Sequence, residues 1–216
     1  PFTLKALAWI ARHGMPALRQ AVASGQYDFP HGLFFGGHGP SRMQQFLAEN
    51  LGRWLRGSQS VVHLDFHTGL GRMGAWKLLI DYPLSELQRD RLTDWFGVNS
   101  FEECDSSGIA YDVRGGLGRW CVARDLVPDY LFACAEFGTY GPIQVLAGLR
   151  AENQSHHWGV PSSASTVRAK ERLKELFCPA AVAWRSRVLE QSVELVNRAL
   201  RGMMGLTPST VADSVP

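Results

Sequence analysis

The sequence predicts an α/β protein: an open mixed sheet with flanking helices, followed by C-terminal helices. Three observations carry this. Residues 61–66 and 130–136 are short apolar runs of strand length, the first rich in β-branched residues. Each run ends in glycines, Gly69 and Gly71 for one and Gly138 and Gly141 for the other. Stretches with apolar residues at helical spacing separate and follow them, the alternation expected of an α/β sheet.

Composition sets the bounds. With 216 residues, 45% hydrophobic and 19% charged, the chain suits a folded domain with a substantial core. A net charge of +2 without a dense basic cluster argues against nucleic acid as a partner. No apolar run is long enough to span a bilayer, so no membrane partner is expected. Pro1 is not an initiator methionine, which leaves room for an upstream start, and no signal peptide is visible. None of the four cysteines forms a Cys-x-x-Cys pair; reduced thiols and a cytoplasmic location are the expectation.

Taken in order, residues 4–24 have helical spacing interrupted by Gly14 and Pro16. Residues 29–35 read as extended and lead into the loop Gly36-Gly37-His38-Gly39-Pro40. Ser41 is a good N-cap for a helix over 42–56, with Phe46, Leu47, Leu51, Trp54 and Leu55 on its buried face. The strand at 61–66 follows, then a loop over 68–76 and an extended piece at 77–81. Pro83 and Ser85 start a helix to about residue 95. Residues 97–108 read as irregular, 109–113 as a strand, and 115–118 as a flexible glycine-rich loop. After the strand at 130–136, Pro142 opens a helix to about residue 154. His156 and His157 end it, one expected against Trp158 and the other exposed. A small-residue linker at 161–166 precedes helices at 167–177 and 181–200, expected to pack on the sheet or on another subunit.

The chemistry concentrates at strand ends. Side chains alternate along a strand, so His63, Asp65 and His67 share one face and Val62, Leu64 and Phe66 the other. Ends of buried strands are where open α/β sheets place their sites. Glu136 closes an apolar strand, and a glutamate is costly to bury without a reason. It could pair with an arginine such as Arg114 or Arg119. It could instead be a general base whose pKa is raised in a dry pocket. A histidine and a glutamate at neighbouring strand ends suit metal-assisted hydrolysis. His63 lies four strand positions from His67, roughly twice the ~7 Å of a two-residue step, so one metal cannot be held by both without a bend. No phosphate loop, dinucleotide fingerprint or Gly-x-Ser-x-Gly elbow is present.

Asp65-Phe66-His67-Thr68-Gly69 resembles the late zinc-histidine motif of the zinc-carboxypeptidase superfamily, and Ala135-Glu136-Phe137-Gly138-Thr139 is similar to its catalytic-glutamate motif. The closer resemblance is to an uncharacterised bacterial branch, a domain of unknown function related to the succinylglutamate desuccinylase and aspartoacylase group. Gly32-Leu33-Phe34-Phe35-Gly36-Gly37, Arg114-Gly115-Gly116 and Arg150-Ala151-Glu152-Asn153 join the two motifs in matching order. The resemblance implies a carboxypeptidase-like fold and a zinc-dependent hydrolase of amide or peptide bonds, carboxypeptidase-like or deacylase-like. It implies His67 as third zinc ligand, Glu136 as base and then acid, and Arg114 as clamp for a substrate carboxylate, a role open to a purely structural alternative. The implied partners are a small-molecule or peptide substrate with a carboxylate, and a homo-oligomer is allowed.

The family's two earlier ligands come from a His-x-x-Glu motif, and no histidine here has a glutamate three positions on. One zinc ion is therefore expected only if the missing ligands are supplied upstream. Residues 1–160 would be the C-terminal part of a catalytic domain, 161–204 a helical extension packed on it, and 205–216 a flexible tail. The alternative is a truncated remnant without catalysis that acts as a binding or interaction module.

Overall fold

The computed structural model describes residues 11–12, 25–103 and 115–206. The expected strand at 109–113, the tail at 207–216, Arg114 and most of the first helical stretch lie outside them. The described elements form an α/β fold with a four-stranded open mixed sheet and six helices. These are α1 (Arg42–Trp54), β1 (Ser60–Met73), β2 (Trp76–Ile80), α2 (Glu86–Phe96), β3 (Phe101–Glu103), α3 (Leu117–Val122), β4 (Asp129–Gly138), α4 (Pro142–Trp158), α5 (Ala164–Phe177) and α6 (Val182–Met203). The sheet order is β1-β4-β2-β3. β1 runs parallel to β4, β2 antiparallel to β4, and β3 parallel to β2.

Local sequence accounts for most helix starts. Ser41, Ser85 and Ser163 each accept a backbone N–H of the first turn, and Ser85 with Gln88 forms a full capping box. Pro142 opens α4, where its missing N–H costs nothing. The core occupies both faces of β4: Tyr130 and Phe132 are buried on the face that carries Cys134 and Glu136, and a larger group is buried on the other. Leu78 and Ile80 of β2 and Leu131, Ala133, Ala135 and Phe137 of β4 pack with Leu92 and Phe96 of α2 and Leu195 and Ala199 of α6. Tyr82 stitches the sheet: its hydroxyl accepts from Phe132 N at 2.9 Å and donates to Phe132 O at 3.2 Å. Among the described residues no helix is long and apolar enough to cross a membrane.

Several expectations are corrected. The loop predicted over 68–76 is mostly strand, because β1 continues to Met73. Its register shifts between Gly69 and Met73 as it bends over the end of β4. There a Cβ on Gly138 would meet Arg72 O at 2.1 Å, so only glycine admits the crossing. Residues 30–34 are turns, with the Gln26 side chain tied to Phe29 and Leu33, and Phe35 alone forms a bridge to Gln26. Residues 101–103 pair as an edge strand, and α3 begins inside the glycine-rich stretch at Leu117. α5 starts at Ala164, inside the expected linker. On α1 only Leu51 is buried; Phe46 and Trp54 lie half-exposed, edge to face at 5.4 Å. His156 and His157 are both exposed, and His157 stacks on His31 at 4.6 Å.

Candidate metal centre

The parallel register of β1 and β4 builds the site. It sets His63 opposite Phe132, Asp65 opposite Cys134 and His67 opposite Glu136. Residues two apart on a strand share a face, so Asp65, His67, Cys134 and Glu136 stand together on one face, midway along β1 and near the carboxyl end of β4. The structure thus brings His67 and Glu136 side by side. Arg114 lies outside the described residues. Arg119 does not meet Glu136 through its Nε, which donates to the Asp81 carbonyl at 3.0 Å.

Glu136 is 7% exposed. Its Oε1 accepts the Leu70 N–H at 2.8 Å, a bond made possible by the continuation of β1 past Gly69. A Cβ at Gly69 would stand 3.3 Å from that oxygen and 3.3 Å from the Phe177 ring. The end of α5 closes this corner, with Thr68 Oγ1 donating to Phe177 O at 2.6 Å. Trp184 of α6 donates its ring N–H to Gly138 O at 3.0 Å, pinning the end of β4. Burial raises the Glu136 carboxyl above its ordinary pKa, and the Leu70 N–H and His67 pull it partly back.

His67 is half-exposed. Its Nε2 lies 2.9 Å from Asp65 Oδ2. The hydrogen bond raises the pKa of His67 and lowers that of Asp65. An ionised carboxylate only accepts, so Nε2 carries the proton, and in the neutral ring Nδ1 keeps the lone pair a metal would use. This carboxylate–histidine pair has the form that orients metal-binding histidines. His63 is engaged elsewhere: its Nδ1 bonds the Tyr130 hydroxyl at 2.8 Å, and burial lowers its pKa.

The donor atoms of His67, Cys134 and Glu136 lie within 4.8 Å of one another, a group able to hold a metal ion. One nitrogen, one sulfur and one carboxylate oxygen fit zinc or a similar borderline cation better than magnesium or calcium, which prefer all-oxygen sets. Burial, and then the nearby Glu136 carboxylate, push the Cys134 thiol up. The sequence reading did not include Cys134 in this group, although its place two residues before Glu136 puts it on the same face. A cavity of about 460 Å³ beside His31 and Trp158 lies at the other end of α4 and is no part of this group.

No curated protein and no solved structure matches the chain. A family described as "Protein of unknown function (DUF2817)" matches residues 2–191. A match over that much of the chain settles its kinship: the protein belongs to the family DUF2817.

Proposed function

We propose that this chain carries part of the active site of a zinc-dependent hydrolase of amide or peptide bonds, carboxypeptidase-like or deacylase-like. The observation that carries the reading is the register that sets a half-exposed His67 beside a buried Glu136. His67 would hold the metal through Nδ1, with Cys134 as a second donor and Asp65 fixing the ring. Bound zinc supplies Lewis acidity and lowers the pKa of its water to about 7. Glu136, made more basic by burial, takes the proton of the attacking water and returns it to the leaving nitrogen. Leu70 N–H keeps the carboxylate aimed while this happens. Arg114 would grip the carboxylate of a small-molecule or peptide substrate in a two-pronged bond.

The test is Glu136→Gln in the full-length protein, assayed with zinc on N-acyl amino acids and on peptides with a free carboxylate. A glutamine oxygen still accepts from Leu70, so the fold stays intact. Turnover should fall about 10²- to 10⁴-fold; full activity would remove Glu136 as the base.

A second reading, a metal-binding module without catalysis, is favoured by the reach of the Glu136 carboxylate to the other two donors. With Glu136 coordinating, the only other carboxylate of this group is Asp65, tied to His67. Zinc binding without hydrolysis of any tested amide would select it.

A further inference from the structure

Helix α6 is apolar on two faces. Its core stripe runs through Trp184, Val188, Leu195 and Ala199. A second stripe, Val182, Leu189, Val193, Val196, Leu200 and Met203, is 40–77% exposed. At 3.6 residues per turn it lies roughly 120° round the helix from the first. A solvated helix keeps that side polar. From Leu189 the spacing is four, three, four and three residues, the repeat of a two-stranded coiled-coil seam, with Val182 a full heptad before Leu189.

We propose that this stripe is the contact surface for a second copy of the same chain, paired through α6 in parallel. Two features single out the second copy as occupant. The first is charge. The positions flanking a seam decide which partner fits. Here they hold two ionisable residues of opposite sign, Arg185 on one flank and Glu190 on the other. They are five residues apart, the offset at which flanking residues of two parallel helices meet. Each Arg185 then faces the partner's Glu190, twice over by symmetry. The Arg185 Nε donates to Pro179 O at 2.9 Å and its charge also acts on Glu175 of α5, so the partner's Glu190 would be a second carboxylate on this guanidinium. The other charges nearby are already satisfied: Glu194 binds Arg198 at 2.8 Å and Arg201 at 3.2 Å within the helix. The second feature is extent. A stable interface buries about 1,200 Å² or more in total. Six large apolar side chains over three heptads, doubled by the two-fold axis and joined by the charged flanks, are of that order.

The surface stands apart from the proposed metal centre, so its test is independent of activity. Sedimentation velocity of the whole chain across a concentration series should show a dimer. Leu189→Glu with Leu200→Glu, both on exposed positions, should raise the dissociation constant at least tenfold without changing the circular dichroism. Arg185→Glu should weaken the dimer, and Arg185→Glu with Glu190→Arg should restore it. Val193→Cys on the seam should form a disulfide-linked dimer under mild oxidation, as parallel pairing requires. A chain that stays monomeric throughout, or a dimer that both seam variants leave unchanged, overturns the proposal.

Discussion

The two strands that carry the site differ in how they are held. β4 sits between β1 and β2, and Leu131, Ala133, Ala135 and Phe137 are almost fully buried. β1 has β4 on one side and, among the described residues, no strand on the other. Its core-side residues Val62 and Leu64 are half-buried, and Phe66 is 42% exposed. Position in the sheet, more than residue type, decides which groups are dry. Glu136 acquires its raised pKa from the central strand, whereas His67 stays within reach of solvent on the edge. A dry carboxylate beside an accessible histidine is the arrangement that the proposed hydrolase requires.

The comparison can be broken most strongly at the level of packing. Leu131→Ala should cost about 2–5 kcal/mol, because the cavity lies in a core that cannot collapse freely. Leu64→Ala, facing the same layer from the edge strand, should cost about half of that or less. Equal losses in urea denaturation would show that β1 is as well covered as β4. At the crossing of the two strands, Gly138→Ala drives a methyl against Arg72 backbone and should cost about 1–3 kcal/mol.

Tyr82 sharpens the contrast because it locks β4 alone. Tyr82→Phe leaves the Phe132 N–H and C=O without their partner and should cost about 1–2 kcal/mol. Burial raises the Tyr82 hydroxyl to about 12, against an ordinary 10.0. The neutral phenol therefore stabilises the fold fully below pH 10, and that contribution is lost as pH rises toward 12. Wild type should lose stability over that interval more steeply than Tyr82→Phe, which is read from thermal melts at pH 9 and 11. The smallest effect lies where β1 is tied to β4 at their starts. Burial alone would raise Asp129, but hydrogen bonds from Ser60 and Arg91 outweigh it and hold its pKa down. The contribution is present above the unfolded carboxylate value, about 3.9, and disappears as pH falls through the lower folded one. Asp129→Asn should flatten that acid limb.

The α/β class was legible because β4 is a continuous apolar run, as buried central strands are. The starts at Ser41 and Ser85 were legible from local capping chemistry, whereas Ser163, the cap of α5, was hidden among the small residues read as a linker. Helix α1 misled, because Phe46 and Trp54 have the right spacing but face little of the core. The extension of β1 through Gly69 and Gly71 was hidden, since glycines signal a turn until a facing strand pairs with them. At the site, His67 and Glu136 stood out as ionisable groups at strand ends, and alternation already placed Asp65 beside His67. Cys134 was passed over because a cysteine in an apolar run reads as core. Its chemistry shows only when the register with β1 sets it beside His67.

The most direct test is zinc titration of the purified full-length protein by calorimetry, with His67→Ala and His63→Ala as a matched pair. One site per chain is expected, weakened at least tenfold by His67→Ala and unchanged by His63→Ala, whose ring is committed to Tyr130. Zinc affinity indifferent to His67, or equally dependent on His63, would contradict a metal centre on the paired face of β1 and β4.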